Sequence, residues 1–376
     1  MIVGIKDTAK LIGISIVCFC AVFVSTVFLN FYLDISNLQN IPPELTALYE
    51  AQISTAEFVC GISGGFLGAI AVLMLVFYIR LYIDSNTVLL GTLKAMGYSN
   101  GKIAVKFWSF GLSVLIGAGL GYSIGHAVMR HVYDTLLLNG LPDVTISYHP
   151  SLLFALVISP TAVYSALSVL IAYVSLNKPV SALLRGKLEK VKVSSGKDKD
   201  RSFLKEMLFK SVSSRKLLAF FVAFGAFCFS AMVQMSLSMN NISSEATMFE
   251  MILAIGLILA TVTLTMSVTS LVNANAENIS IMKAFGYNIK QCTIAVFGGF
   301  VPFALLGFFI GTAYQFGLLQ LMVNILFDKV EGVSDYSFDV PLMFITFAAF
   351  VAFYTVIMSI YAVRLKRITI KQTINE

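Results

Sequence analysis

Leu93-Lys94-Ala95-Met96-Gly97-Tyr98 returns as Met282-Lys283-Ala284-Phe285-Gly286-Tyr287. The two lysines are 189 residues apart (283 − 94), and each copy stands between two long apolar stretches. The phrase is polar enough to lie outside a bilayer while its flanks are not. Its duplication therefore reads as two copies of one membrane module.

Composition supports that reading. The chain is 58% hydrophobic and 12% charged, with mean hydropathy +0.86; a soluble domain carries about twice that charge. A helix needs about 20 apolar residues to cross hydrocarbon, and eight stretches qualify: 11–33, 55–82, 107–128, 151–176, 217–238, 249–274, 293–322 and 342–363. The stretch 293–322 is long enough to tilt or break. The expected fold is an all-α polytopic membrane protein with eight transmembrane helices. They form two parallel, pseudo-symmetric four-helix repeats, each with a cytoplasmic coupling helix. The expected division is a first module at 1–176, a basic linker at 177–216 and a second module at 217–376.

Orientation follows from the positive-inside rule. With both termini cytoplasmic, 24 of the 26 Lys and Arg lie inside, all but Arg130 and Lys329. The net charge of +6 then belongs to the inner membrane face and is no argument for nucleic acid. Lys6 and Lys10 precede an apolar run longer than a signal-peptide core. Cys18, Cys20, Cys60, Cys228 and Cys292 sit in or beside apolar spans with no metal or redox spacing. The outer loops, roughly 34–54, 129–149, 239–248 and 323–341, are too short for an independent domain.

The linker reads as a flexible tether, or as a basic patch for anionic headgroups or a partner. Within it, 203–216 suits a surface helix, with Ile5–Lys10 as a shortened counterpart. Gly117, Gly121 and Gly125 form small-xxx-small steps, as do Gly307/Gly311 and Gly64/Gly68. They read as close helix packing, with hinges as the alternative. Tyr32, Trp108, Tyr148, Tyr173, Tyr336 and Tyr361 fall near the expected interfaces.

Catalytic chemistry is not visible. His126, His131 and His149 read as scattered interfacial histidines, and no nucleophile or metal motif occurs. Gly97–Lys102 superficially resembles a phosphate loop but is one residue short and lacks Ser or Thr after Lys102. Glu57 and Glu250 open the second and sixth spans, and Arg80 and Asp84 lie at an inner boundary. No ionisable residue stands clearly at midplane, where ion-coupled carriers keep one. Energy for transport is therefore expected from another subunit. The phrase suits that need: Lys94 and Lys283 can meet acidic or carbonyl groups on a motor, Ala95 and Ala284 allow close approach, and Gly97 and Gly286 can end a helix. A structural turn with interfacial lysines is the alternative.

Leu89-Leu90-Gly91-Thr92-Leu93-Lys94-Ala95-Met96-Gly97-Tyr98 with Ile103, and Asn278-Ile279-Ser280-Ile281 before the second phrase, resemble the signature of FtsX-like, MacB-type permeases of ABC transporters. Pro179-Val180-Ser181-Ala182-Leu183-Leu184-Arg185 resembles the family's usual ending, and Lys366–Lys371 a degraded second version. The resemblance implies two copies of a separate ABC-type ATPase, with ATP and Mg on that partner and no cofactor in this chain. It implies ATPase coupling through Lys94, Ala95, Met96, Gly97, Tyr98, Lys283, Ala284, Phe285, Gly286 and Tyr287. It also implies a bacterial cytoplasmic membrane. Many relatives carry one module per chain and a large outer domain; this chain has both modules and little outside. A hydrophobic, lipid-like or peptide substrate reached from the bilayer, moved outward, is the resulting expectation. The alternatives are a non-transporting subunit controlling a cell-wall enzyme or sensor kinase, and an ATP-independent carrier.

Overall fold

The structure is a computed structural model that describes residues 5–36, 46–62, 65, 68–136, 146–177, 179–181, 212, 216–242, 246–321 and 337–366. The linker residues 182–211, with most of the expected surface helix at 203–216, lie outside the described residues, as do Gly64 and Tyr336. The regular elements among the described residues are all helices, with no strand among them. The protein is an all-α polytopic membrane protein. Its chain forms two compact units, Met1–Gly196 and Lys197–Glu376.

In the first unit, α1 (Ile5–Ser36), α2 (Thr46–Ile62) and α3 (Gly68–Ser85) precede the short α4 (Thr87–Ala95). Then α5 (Asn100–Ala104) passes through a tight turn at Val105–Trp108 into α6 (Ser109–Leu136), and α7 (Pro150–Leu153) leads through a widened turn at Phe154–Ile158 into α8 (Ser159–Ser175). The widened turn sits just before Pro160, which has no N–H to give the ladder; Thr161 Oγ1 donates to Val157 O at 2.7 Å beside it. The second unit repeats the order: α9 (Lys216–Ile242), α10 (Ala246–Ala274), α11 (Ala276–Ala284), α12 (Ile289–Phe297), a tight turn at Gly298–Phe300, α13 (Val301–Leu321) and α14 (Val340–Lys366).

Seven stretches of described helix are long and apolar enough to cross a membrane. The eighth expected span, 55–82, falls on α2 and α3, and residues 63, 64, 66 and 67 between them lie outside the described residues. The long stretch 293–322 tightens into a narrower turn at Gly298–Phe300 within one helical run, Ile289–Leu321.

Each unit is built around its first helix. Helix α1 packs chiefly on α6, and also on α2 and α3; α9 packs chiefly on α10 and α13. Both central helices are mostly buried, whereas α8 and α14 expose most of their apolar surface, as lipid-facing helices do. The contact between first and third spans is made by small residues. A Cβ on Gly117 would strike the Ser15 carbonyl, one on Gly121 would lie 2.6 Å from Phe19 O, and one on Gly125 3.2 Å from Thr26 Cβ. Ser15 Oγ adds a hydrogen bond to Ser113 O at 2.8 Å. In the second unit a Cβ on Gly307 would strike the Ala223 carbonyl, and one on Gly311 would lie 2.7 Å from Phe227 O. Gly117, Gly121, Gly307 and Gly311 bring backbone against backbone and Gly125 meets the Thr26 side chain, which is how helices associate where lipid is as apolar as Leu. Gly68 is different: its Cβ would find only Tyr164 Oη, at 4.0 Å.

One interfacial aromatic has another task. Trp108, Tyr148 and Tyr173 are exposed, but Tyr361 is buried, and its hydroxyl meets Thr269 Oγ1 at 2.7 Å and Thr265 O at 3.1 Å.

Candidate functional site

The repeated phrase is the second half of a longer repeated element that begins at an asparagine. Asn86 (φ −119°, ψ 27°) and Asn275 (φ −108°, ψ 10°) end α3 and α10 and start α4 and α11. Each side-chain amide donates to the carbonyl four residues back, Tyr82 O or Leu271 O, at 2.9 Å. Each asparagine carbonyl then accepts the first bond of the new helix, from Leu90 N at 3.0 Å or Ile279 N at 2.9 Å. An asparagine side chain offers the backbone this alternative to an unbroken ladder. Leu90 and Ile279, both fully buried, anchor the short helices.

The other end is a paired C-cap. Gly97 (φ +89°) and Gly286 (φ +84°) are left-handed. Gly97 N donates to Lys94 O at 3.0 Å and Tyr98 N to Leu93 O at 3.2 Å; Gly286 N and Tyr287 N repeat this on Lys283 O and Met282 O, at 3.0 and 3.1 Å. This is the Schellman arrangement, which pairs the last carbonyls of a helix with the amides that follow. Tyr287 completes it by packing on Met282, Cys292 and Ala295. The next helix starts two residues on, with Ser99 Oγ accepting from Lys102 N at 3.4 Å and Asn288 in a capping box with Gln291. The run Gly97–Lys102 is thus a C-cap joined to an N-cap. Added side chains at Gly97 and Gly286 would enter open space, so substitution there is resisted by backbone strain alone. Valine at either position is expected to cost about 1–2 kcal/mol, and asparagine less. Thermal unfolding of the purified variants in detergent measures the difference.

The exposed tip of each element is apolar. Met96 is 69% exposed and Phe285 78%, and Ala95 and Ala284 beside them are exposed as well. Lys94 and Lys283 are half-buried. The Nζ of Lys94 does meet a carbonyl, but one of its own chain: Leu176 O, at 3.0 Å, where α8 ends. Nothing in this arrangement resembles a nucleophile with its base. It presents a rigid, protruding apolar knob, which suits docking.

Residues 61–180 match the FtsX-like permease C-terminal family, and residues 250–370 match it again. The chain belongs to the FtsX-like permease family. Members are membrane subunits of ABC-transporter type and typically pair with an ATPase subunit. No curated protein and no solved structure matches the chain.

Within this FtsX-like chain, reasoning from sequence missed Asn86 and Asn275. The signal was present, because each lies eight residues before its lysine (94 − 86; 283 − 275). It also gave His149 no partner. At the end of the first unit remote from the phrase, the Asp34 side chain is 2% exposed and its Oδ1 lies 2.9 Å from His149 Nε2. Asp34 Oδ2 accepts from Asn30 Nδ2 at 2.8 Å, Tyr133 OH at 2.9 Å and Ser147 N at 3.2 Å. His126 Nε2 lies 3.2 Å from Tyr122 OH, and its ring packs on Tyr122 and Tyr148 at 4.8 and 5.4 Å. This cluster fastens the segment before α7 to α1 and α6.

The second unit has a different device. Gln234 Nε2 donates to Ser230 Oγ at 3.1 Å and Thr312 Oγ1 at 2.9 Å, and Gln315 Nε2 to Ser238 Oγ at 3.3 Å. These buried bonds carry no formal charge; the first lies within α9, and the other two join α9 to α13.

Proposed function

We propose that this FtsX-like protein is the membrane-spanning subunit of an ABC transporter, driven by two copies of a separate ATPase that hold ATP and Mg. It exports a hydrophobic or amphipathic substrate, lipid-like or peptide, that arrives through the bilayer. The observation that carries the reading is the duplicated element itself: helix break, buried anchor, apolar tip and left-handed C-cap occur in both units. A rigid helix ending in an exposed Met or Phe fits an apolar pocket on a soluble motor and can be pushed by it. Lys94, Lys102, Lys106, Lys283 and Lys290 surround the two tips in sequence and favour the cytoplasmic side of a bacterial membrane, with both termini there. Small loops on the other side and exposed apolar faces on α8 and α14 favour a substrate taken from lipid.

Purification from the native membrane in mild detergent tests this directly. A co-purifying protein with a Walker A motif is the expected result. Met96→Asp with Phe285→Asp is then expected to remove it: two buried anchors worth about 2 kcal/mol each correspond to an affinity loss of roughly 100- to 1000-fold. A chain that isolates with a kinase or hydrolase and no ATPase belongs to a signalling device, and the transporter reading falls.

A further inference from the structure

Sequence placed Lys94 toward the motor. The structure places its ammonium on α8, and that bond is the first of several fastenings along one helix. Leu176 caps α8 and is fully buried. Its carbonyl is among the last of the helix, where no intrahelical donor remains and the helix dipole favours a cation. Lys94 Nζ supplies the donor at 3.0 Å from 82 residues away. Two turns toward the other end, the Ser168 hydroxyl is shared between Ser165 O of its own helix at 2.7 Å and Phe107 O at 2.9 Å, so α8 also touches the tight turn that follows α5. Next, the Ser165 side chain occupies the space a Cβ on Gly111 would need, and Tyr164 OH donates to Gly68 O at 2.6 Å, at the start of the helix that precedes the phrase.

We infer that Lys94 is a strut. It carries displacement of the exposed tip at Met96 into α8, the lipid-facing helix of the first unit, and it does not serve as a partner contact. The inference rests on the reading that a motor presses the phrase. Lys94 is accordingly a positioning residue: the partner touches Met96, and α8 moves because Lys94 and α8 share a bond.

The test uses the purified complex with its ATPase. An environment-sensitive fluorophore is placed at Val174→Cys, an exposed position on the last turn of α8, with Cys60→Ser removing the half-buried thiol. A non-hydrolysable ATP analogue is expected to shift the fluorescence in the parent protein and in Lys94→Arg, which keeps a cationic donor. Lys94→Met is expected to retain the ATPase in unchanged amount while the shift falls about tenfold, the size of an ordinary coupling between sites. If Lys94→Met is not monodisperse, Lys94→Gln, whose amide is too short to reach, replaces it under the same criteria. A full shift in the variant overturns the strut and leaves the transporter reading intact. Loss of the ATPase from the variant also overturns it, by making Lys94 a partner contact. A parent protein that binds no ATPase removes the transporter reading and the strut together, whereas one that binds it and shows no shift overturns the strut alone.

Discussion

Gly307→Leu is expected to leave little folded protein, and Gly117→Leu little more. At both positions a side chain would begin inside the backbone of the neighbouring first helix, at the Ala223 or Ser15 carbonyl. A rotamer change cannot clear a backbone atom, so α13 would have to separate from α9, or α6 from α1. Overpacking against movable side chains costs about 1–3 kcal/mol; displacing a helix forfeits the packing along its length as well and exceeds that. Gly119 and Gly317 lie on the same two helices with open space around them. Leucine there is expected to be neutral, which separates packing from helix propensity. Size-exclusion profiles and thermal midpoints of the four variants in one detergent decide it. A monodisperse Gly307→Leu protein with an unchanged midpoint would refute the close-packed seam.

Asp34→Ala is expected to be the most damaging change at the opposite end of the first unit. The carboxylate accepts from Asn30 Nδ2 and from Tyr133 OH, both residues buried, and pairs with His149; Asn30 Nδ2 also donates to Tyr133 OH at 3.0 Å. Stranding a buried polar group costs about 1–3 kcal/mol; Asn30 Nδ2 keeps Tyr133 OH as its acceptor, so the loss, carried chiefly by the Tyr133 hydroxyl, is expected to be about 1–3 kcal/mol. Ser147, being exposed, can turn to water and adds little. Asp34→Asn keeps one acceptor oxygen and is expected to fall between alanine and the parent. Thermal midpoints in lipid nanodiscs measure the series, and limited proteolysis before α7 reports whether that segment has come loose. An alanine variant as stable as the parent would show the cluster to be ornamental.

The second unit has no carboxylate at the matching position. Aligned on the glycines that face the first helix, Asp34 corresponds to Ile242, since Gly117 meets Ser15 where Gly307 meets Ala223. The two modules thus have the same backbone seam and different polar reinforcement. The first is tied by a carboxylate at one end, the second by amides and hydroxyls buried between α9 and α13.

Much of this was legible along the chain. Apolar length marked the spans, seven of which the described helices show. The phrase announced its own C-caps, because a glycine two residues past an alanine and one past an apolar residue is a local pattern with a local cause. The glycine spacing announced close packing, and the partner backbone was supplied by the fold. Asn86 and Asn275 were passed over because asparagine interrupts a helix only when its side chain finds the preceding turn. Lys94 was assigned to a partner because a lysine in a polar turn gives no hint of a carbonyl 82 residues downstream.

The amino-acid sequence determined on its own that this is a helical membrane protein of two like modules, each with a capped polar turn. Those properties depend on hydrophobic length, repetition and backbone preference, which act within one or two helical turns. Only the tertiary structure decided that Lys94 closes the end of α8, that Asp34 and His149 form one cluster, and that Met96 and Phe285 are the exposed tips. Those outcomes depend on which helices approach closely enough for polar groups far apart in the chain to meet, and that is set by packing.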